Sequence, residues 1–208
     1  KEDRGYLLVD DFSNLELPNL LWGNSSLFRN NASLRLNYSN EMLRLDYNVS
    51  RDNSYAGYLT LLNKFDVTPY KSLTFLVKGA TGEENAKIGL TDSLNNEQKI
   101  IMSEYLPQGI SMQWQKVRIP LAAFTQVVDW DDMGKLGVSF ENILGNDHGT
   151  IFIDDVNFEK AGSPIILDNF NTVTGENGIG GLYWAYADGN ATITAGYDAV
   201  NRRGDIGA

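Results

Sequence analysis

Ten short segments, each rich in β-branched or aromatic residues and each closed by turn chemistry, commit this chain to a β fold. They are YLLVDDF (6–12), SLRLNYS (33–39), EMLRLDYNV (41–49), AGYLTLL (56–62), SLTFLVKG (72–79), AKIGLTDS (86–93), QKIIMSEYL (98–106), WQKVRIPL (114–121), KLGVSFEN (135–142) and TIFIDDVNFE (150–159). Many alternate apolar and polar residues, the period of a strand with one buried face. TGEEN, LPQG, LGNDHG and AGSP punctuate them. Helical signals are few: LAAFTQV (121–127) predicts one short turn, and Pro69 stiffens the connector DVTPYKS (66–72). The expectation is an all-β, two-sheet antiparallel β-sandwich of jelly-roll type with under about a tenth helix.

The pattern restarts near the C-terminus. VDDFSN (9–14) matches LDNFNT (167–172), Trp22 matches Trp184, and YNVSRDNSYAG (47–57) matches YDAVNRRGDIG (197–207). The first copy carries about a dozen more residues between tryptophan and tyrosine, enough for an added hairpin around Asn30–Glu41. Residues 1–160 therefore read as a complete module. Residues 161–208 read as a linker and the opening strands of a second copy. Three strands cannot cover their own apolar face, so residues 164–208 are expected to add to a neighbouring subunit by strand exchange or head-to-tail assembly.

Charge and composition remove several functions. A formal charge of −10 repels a phosphate backbone, which excludes nucleic-acid binding. No apolar run is long enough to insert in a membrane. With no cysteine and one histidine there is no thiolate or zinc centre. The same shortage, with no G-x-S-x-G motif, leaves no nucleophile machinery, so the chain reads as not an enzyme. The Glu104 and Glu141 carboxylates could pair as in a glycosidase, but any β protein offers such pairs. Asn-x-Ser/Thr triplets at Asn24, Asn31, Asn37, Asn48 and Asn190 fit an extracellular or cell-surface setting better than a cytosolic one.

The order of LLVDDF, YAGY, SLTFLVKG, W-x-x-V-x-I-P-L-x-x-F (Trp114 to Phe124), KLGVSFEN and G-T-I-F-I-D-D-V resembles galactose-binding-like β-sandwich modules. Within that group it is similar to carbohydrate-binding modules of bacterial β-glucanases and to the complex I intermediate-associated protein domain. The resemblance spans nearly all of 1–160. It implies a sandwich, frequent structural calcium, glycan binding on a sheet face or loop rim, and tandem arrangement.

Two sets of residues are candidates for these roles. Asp10 and Asp11 on the opening strand and Asp154 and Asp155 on the closing strand would meet if those strands are neighbours, as the resemblance implies. Converging carboxylates raise each other's pKa unless a cation lies among them, and Ca2+ takes such hard oxygen ligands. A structural calcium of this kind would make the melting temperature fall on chelation. For the glycan, the expected ligands are Tyr55, Trp130, Asp129 and His148. Pyranose C–H faces pack on aromatic rings, while hydroxyls need planar polar partners. Trp22 and Trp114 are expected in the core. The leading function is a non-catalytic carbohydrate-binding module of a larger exported or cell-surface protein. The alternatives are a structural cell-surface assembly protein and an accessory domain that only spaces a catalytic one.

Overall fold

The computed structural model describes residues 5–13, 18–38, 42–144, 146–160, 194–198 and 203–207. The chain divides into two units, Lys1–Ala161 and Gly162–Ala208.

In the first unit, eleven strands form two antiparallel sheets. One sheet contains β3 (Ser33–Tyr38), β4 (Leu43–Asn48), β11 (His148–Glu159), β6 (Ser72–Gly79) and β9 (Gln115–Pro120) in that order, with β1 (Tyr6–Asp10) also on β11. The other contains β2 (Ser25–Asn30), β5 (Tyr55–Phe65), β10 (Met133–Glu141), β7 (Lys87–Asp92) and β8 (Glu97–Ile101). Three short 3-10 turns, Met102–Tyr105, Leu121–Ala123 and Asn142–Leu144, are the helical content among the described residues. The expected sandwich is thus the fold, and nine of the ten expected segments begin and end near the strands observed. The tenth, 98–106, is divided. It is a strand to Ile101 and a 3-10 turn from Met102, whose side chain drops into the core.

Alternation explains the layering. In β4, Leu43, Leu45 and Tyr47 are buried while Arg44 and Asp46 face out. In β10, Leu136, Val138 and Phe140 point inward. Between the sheets, Tyr47 stacks on Phe140 with centroids 3.9 Å apart and planes 11° apart. Tyr58, Phe75, Phe124 and Phe158 fill the same layer. Each aromatic ring buried in this way contributes several kcal/mol, about 3–5 if cut back to alanine.

β11 holds its sheet together. Its first half pairs with β4 up to Ile153, and its second half pairs with β1 from Val156. The changeover falls on Asp155, at φ 49, where the register against β6 also shifts. β2 is the strand that the sequence pattern does not reveal. SSLFRN shows no clean alternation, because as an edge strand it is exposed on both sides. In the second unit, β12 (Thr194–Asp198) and β13 (Arg203–Gly207) pair as a hairpin. Of the three strands expected in 164–208, ATITAGY (191–197) overlaps β12; IILDNF and GLYWAYA, and with them the expected exchange with a neighbour, lie outside the described residues.

Candidate functional site

The outer face of the β2-β5-β10-β7-β8 sheet carries glycines on three adjacent strands. Register places Phe28, Gly57, Ser139, Lys87 and Ile101 in one row across it. The next row is Ser26, Leu59, Gly137, Gly89 and Lys99. Glycine inside a strand gives up packing and marks a close approach to the backbone. Three of them here, on adjacent strands, lower the floor of a trough whose walls are side chains of β2 and β5 on one side and β8 on the other.

Gly57 has a specific reason to lack a side chain. A Cβ there would lie 2.2 Å from the Phe28 ring and 2.5 Å from the Val138 carbonyl oxygen. The Phe28 ring therefore lies across the strand toward the trough. It meets Tyr55 at 6.4 Å between centroids, tilted by 47°. Tyr55 is 45% exposed.

At this end the trough deepens into a cleft of about 470 Å³, lined by Phe28, Ser54, Tyr55, Lys99, Ser139 and Glu141 among others. Glu141 is held by Lys87 at 2.7 Å, an ion pair with both partners largely covered. The Oγ atoms of Ser54 and Ser139 are buried and have no protein partner. A buried hydroxyl left unpaired costs about 1–3 kcal/mol, so two on one cleft mark a place where something else supplies the bond.

The loop that carries Ser54 is fixed from below. Val49 is fully buried and its N–H donates to the Asp147 carbonyl. Asn142 donates its side-chain amide to the Val49 carbonyl and its backbone N–H to the Ser54 carbonyl.

A second aromatic stands at the opposite end of β5. Asn19, 5% exposed, donates to the Thr60 hydroxyl and the Leu61 carbonyl and accepts from the N–H groups of Leu21 and Gly23. This staple draws the turn so tightly that a Cβ at Gly23 would fall 1.7 Å from the Leu61 oxygen. It leaves Trp22 at φ 64 and 79% exposed. A bulky residue in the left-handed region is strained, and such strain gathers where a side chain must be presented.

Of the expected glycan ligands, the structure brings only Tyr55 into this cleft. Trp130 and Asp129 precede β10 at Met133, at the strand end opposite Glu141. Trp130 is partly buried against the core, and Asp129 donates its N–H to Asp92. Asp129 has a raised pKa because it shares a hydrogen bond with Asp131 and is repelled by the Asp131 and Asp132 charges, which together outweigh the hydrogen bond from the Ser93 hydroxyl. His148 opens β11 in the other sheet, exposed and bonded to Asp147. The expectation that Trp22 and Trp114 are core is overturned. Trp22 is on the surface, and Trp114, 37% exposed, lies under the Lys78 ammonium at 4.8 Å. Trp22 lies in a turn and Trp114 just before β9, and the strand-like sequence around them gives no sign of either place.

The acidic set is partly drawn together. β1 and β11 are neighbours, and burial, then the charges of Asp11 and Asp154, raise the Asp10 pKa. Asp11 instead turns to Ser13, whose hydroxyl and backbone N–H lower its pKa. Asp154 accepts the N–H of Asp155, which is exposed. Among the described residues no three acidic or histidine side chains are grouped to hold a metal. As placed, these four carboxylates do not fit a calcium cage.

Comparison with known proteins adds a family. The family described as Carbohydrate binding domain 30 matches residues 13–160. No curated protein sequence matches the chain. A family 11 carbohydrate-binding module from Clostridium thermocellum, solved with a beta-1,3-1,4-mixed-linked tetrasaccharide, superposes with a TM-score of 0.57 at 15% identity, covering 76% of this chain and 96% of that one. A family 30 carbohydrate-binding module superposes at 0.55 with 22% identity, covering 74% and 88%. A beta-1,2-glucanase from Parabacteroides distasonis does so at 0.53 with 15% identity, covering 76% and 25%. At these identities the structures share the fold with this chain.

Proposed function

Since the chain belongs to the carbohydrate binding domain 30 family, and is thus a non-catalytic carbohydrate-binding module, we propose that it holds polysaccharide in the trough across the β2-β5-β10-β7-β8 sheet. Phe28 and Tyr55 stack on sugar faces. Ser54, Ser139, Lys99 and Glu141 take the hydroxyls, and Trp22 is a further platform for a longer chain. From Tyr55 to Leu61, next to the Trp22 turn, β5 runs roughly 20 Å. The observation that carries the reading is the cleft with two unpartnered buried hydroxyls beside the Phe28 and Tyr55 rings, on a sheet face with glycines on three adjacent strands. The mixed-linked β-glucan held by the family 11 neighbour is the natural first ligand, and the module is read as one part of a larger exported protein that acts on such polymers. Shallow, solvent-open stacking limits the affinity to the micromolar to millimolar range, about 4–8 kcal/mol.

The test is affinity electrophoresis and calorimetry with mixed-linked β-glucan. Tyr55→Ala and Phe28→Ala are each expected to weaken binding about tenfold with the melting temperature nearly unchanged. Trp130→Ala is expected to lower the melting temperature and leave affinity alone. Affinity that depends on Trp130 and not on the two rings, or no binding to any β-glucan, galactan or mannan, would overturn the proposal; the second result favours a structural cell-surface role.

A further inference from the structure

The loop 49–54 that walls the glycan cleft has another side. There, Ser50 and Arg51 join Arg29, Asn31, Ser33 and Asn48 around a separate polar cleft of about 550 Å³. Its lining is rich in donors. Arg51 donates one N–H to the Asn31 side-chain oxygen at 2.8 Å. The Asn48 side-chain oxygen is taken by the hydroxyl and N–H of Ser50. Among the described residues no carboxylate lies within ion-pair distance of either arginine. The adjacent Asp52 does not line the cleft.

Arg29 and Arg51 thus line one cleft with no ion-paired carboxylate, in a chain of net charge −10. A neutral sugar offers hydroxyls that both donate and accept. The two guanidinium groups only donate, so they are matched better by a group that only accepts, and a guanidinium fork is matched best by a planar carboxylate. The position is also specific. Arg51 and Ser54 are three residues apart, so their Cα atoms lie within about 11 Å of each other. Arg29 pairs with Ala56, whose side chain is in the core, so by alternation Arg29 points to the other face of β2 from Phe28, and a substituent of a polymer seated on Tyr55 reaches the arginines around the 49–54 loop. The loop between them is pinned by the Asn142 bonds, so neither cleft has to be assembled on binding.

We propose, on the basis of the glycan reading above, that Arg29 and Arg51 form an anion-reading subsite, and that the preferred polysaccharide carries acidic substituents beside the β-glucan backbone. The substituent is a uronate carboxylate or a sulfate ester. General attraction cannot stand in for this subsite, because the net charge of the protein repels a polyanion.

The experiment titrates the full chain with three forms of one mixed-linked β-glucan: neutral, partly oxidised to the carboxylate at C6, and partly sulfated. The oxidised or sulfated form is expected to bind at least tenfold tighter than the neutral one at low ionic strength, with the gain shrinking as salt is raised. The arm that shows the gain identifies the substituent. The double variant Arg29→Ala, Arg51→Ala should keep the neutral affinity and lose the gain. Both side chains are on the surface, and circular dichroism checks that the fold is intact. Binding of the neutral form with no gain for either acidic form, or a gain that survives in the double variant, overturns this subsite and leaves the glycan cleft standing. Failure of all three polymers to bind overturns the glycan reading and the subsite with it.

Discussion

Asp92 shows how much one side chain can fix. It is 1% exposed and accepts hydrogen bonds from the backbone of Leu94, Asn96, Val128 and Asp129 and from the Asn96 side chain. Burial alone would push its carboxyl up, but these bonds together outweigh burial and hold it at about 2, below the ordinary value of 3.8. A depressed folded-state pKa means stability that is present above the unfolded value and lost as pH falls through about 4 toward 2. Asp10 has the opposite sign. Burial raises its pKa, so its ionisation costs stability as pH rises through the carboxylate range. Urea denaturation of Asp92→Ala at pH 7 should show a loss of roughly 2–4 kcal/mol, since several N–H groups are orphaned at once. The variant should also lose less stability than the parent between pH 4 and pH 2. Nothing in TDSLNNEQ (91–98) reveals this role beyond a turn. The partners at 128 and 129 are far away in sequence, and only the fold brings them near.

Among the elements, legibility tracks the buried face. Strands with one side in the core, such as β9, declare themselves by alternation and are readable to within a residue or so. β2 is not, and with it goes Phe28, an aromatic whose importance comes from lying over Gly57 rather than from its own strand. The site does leave a trace in the sequence. YAGYLTLL, AKIGLTDS and KLGVSFEN each carry a glycine inside the strand, but that these fall side by side depends on register, which one chain read alone does not supply. Trp130 and His148 look as suitable as Tyr55 in sequence because exposure is set by tertiary placement. The glycines can be separated by experiment. A Cβ at Gly137 meets only ordinary contacts, with the nearest atom at 3.4 Å. Gly137→Val should therefore keep or raise the melting temperature, because valine suits a strand, and reduce β-glucan affinity tenfold or more by filling the trough. Gly57→Ala should instead lower stability by driving into the Phe28 ring and the Val138 carbonyl.

For the whole molecule, the division at Ala161 and Gly162 sets the binding module apart from the C-terminal unit. Every residue of the proposed clefts lies in Lys1–Ala161. A chain ended at Gly162 is expected to keep the all-β circular dichroism spectrum and the full β-glucan affinity; loss of affinity would mean that the later residues take part. Light scattering of this form against the full chain, at equal concentrations, also tests the strand exchange expected of residues 164–208: a larger mass for the full chain alone supports exchange, and two equal monomer masses end it.

The trough is built from the middle of strands and from a loop tied down by Asn142, so its backbone amides are already in register-paired ladders before any sugar arrives. Amide hydrogen exchange in β5, β7 and β10 should therefore change little on saturation with ligand. The heat released should come from contacts and released water, with little conformational entropy lost by the protein. Affinity gained by lengthening the oligosaccharide would then level off once the trough is spanned, and the length at which it does so is a ruler for the site.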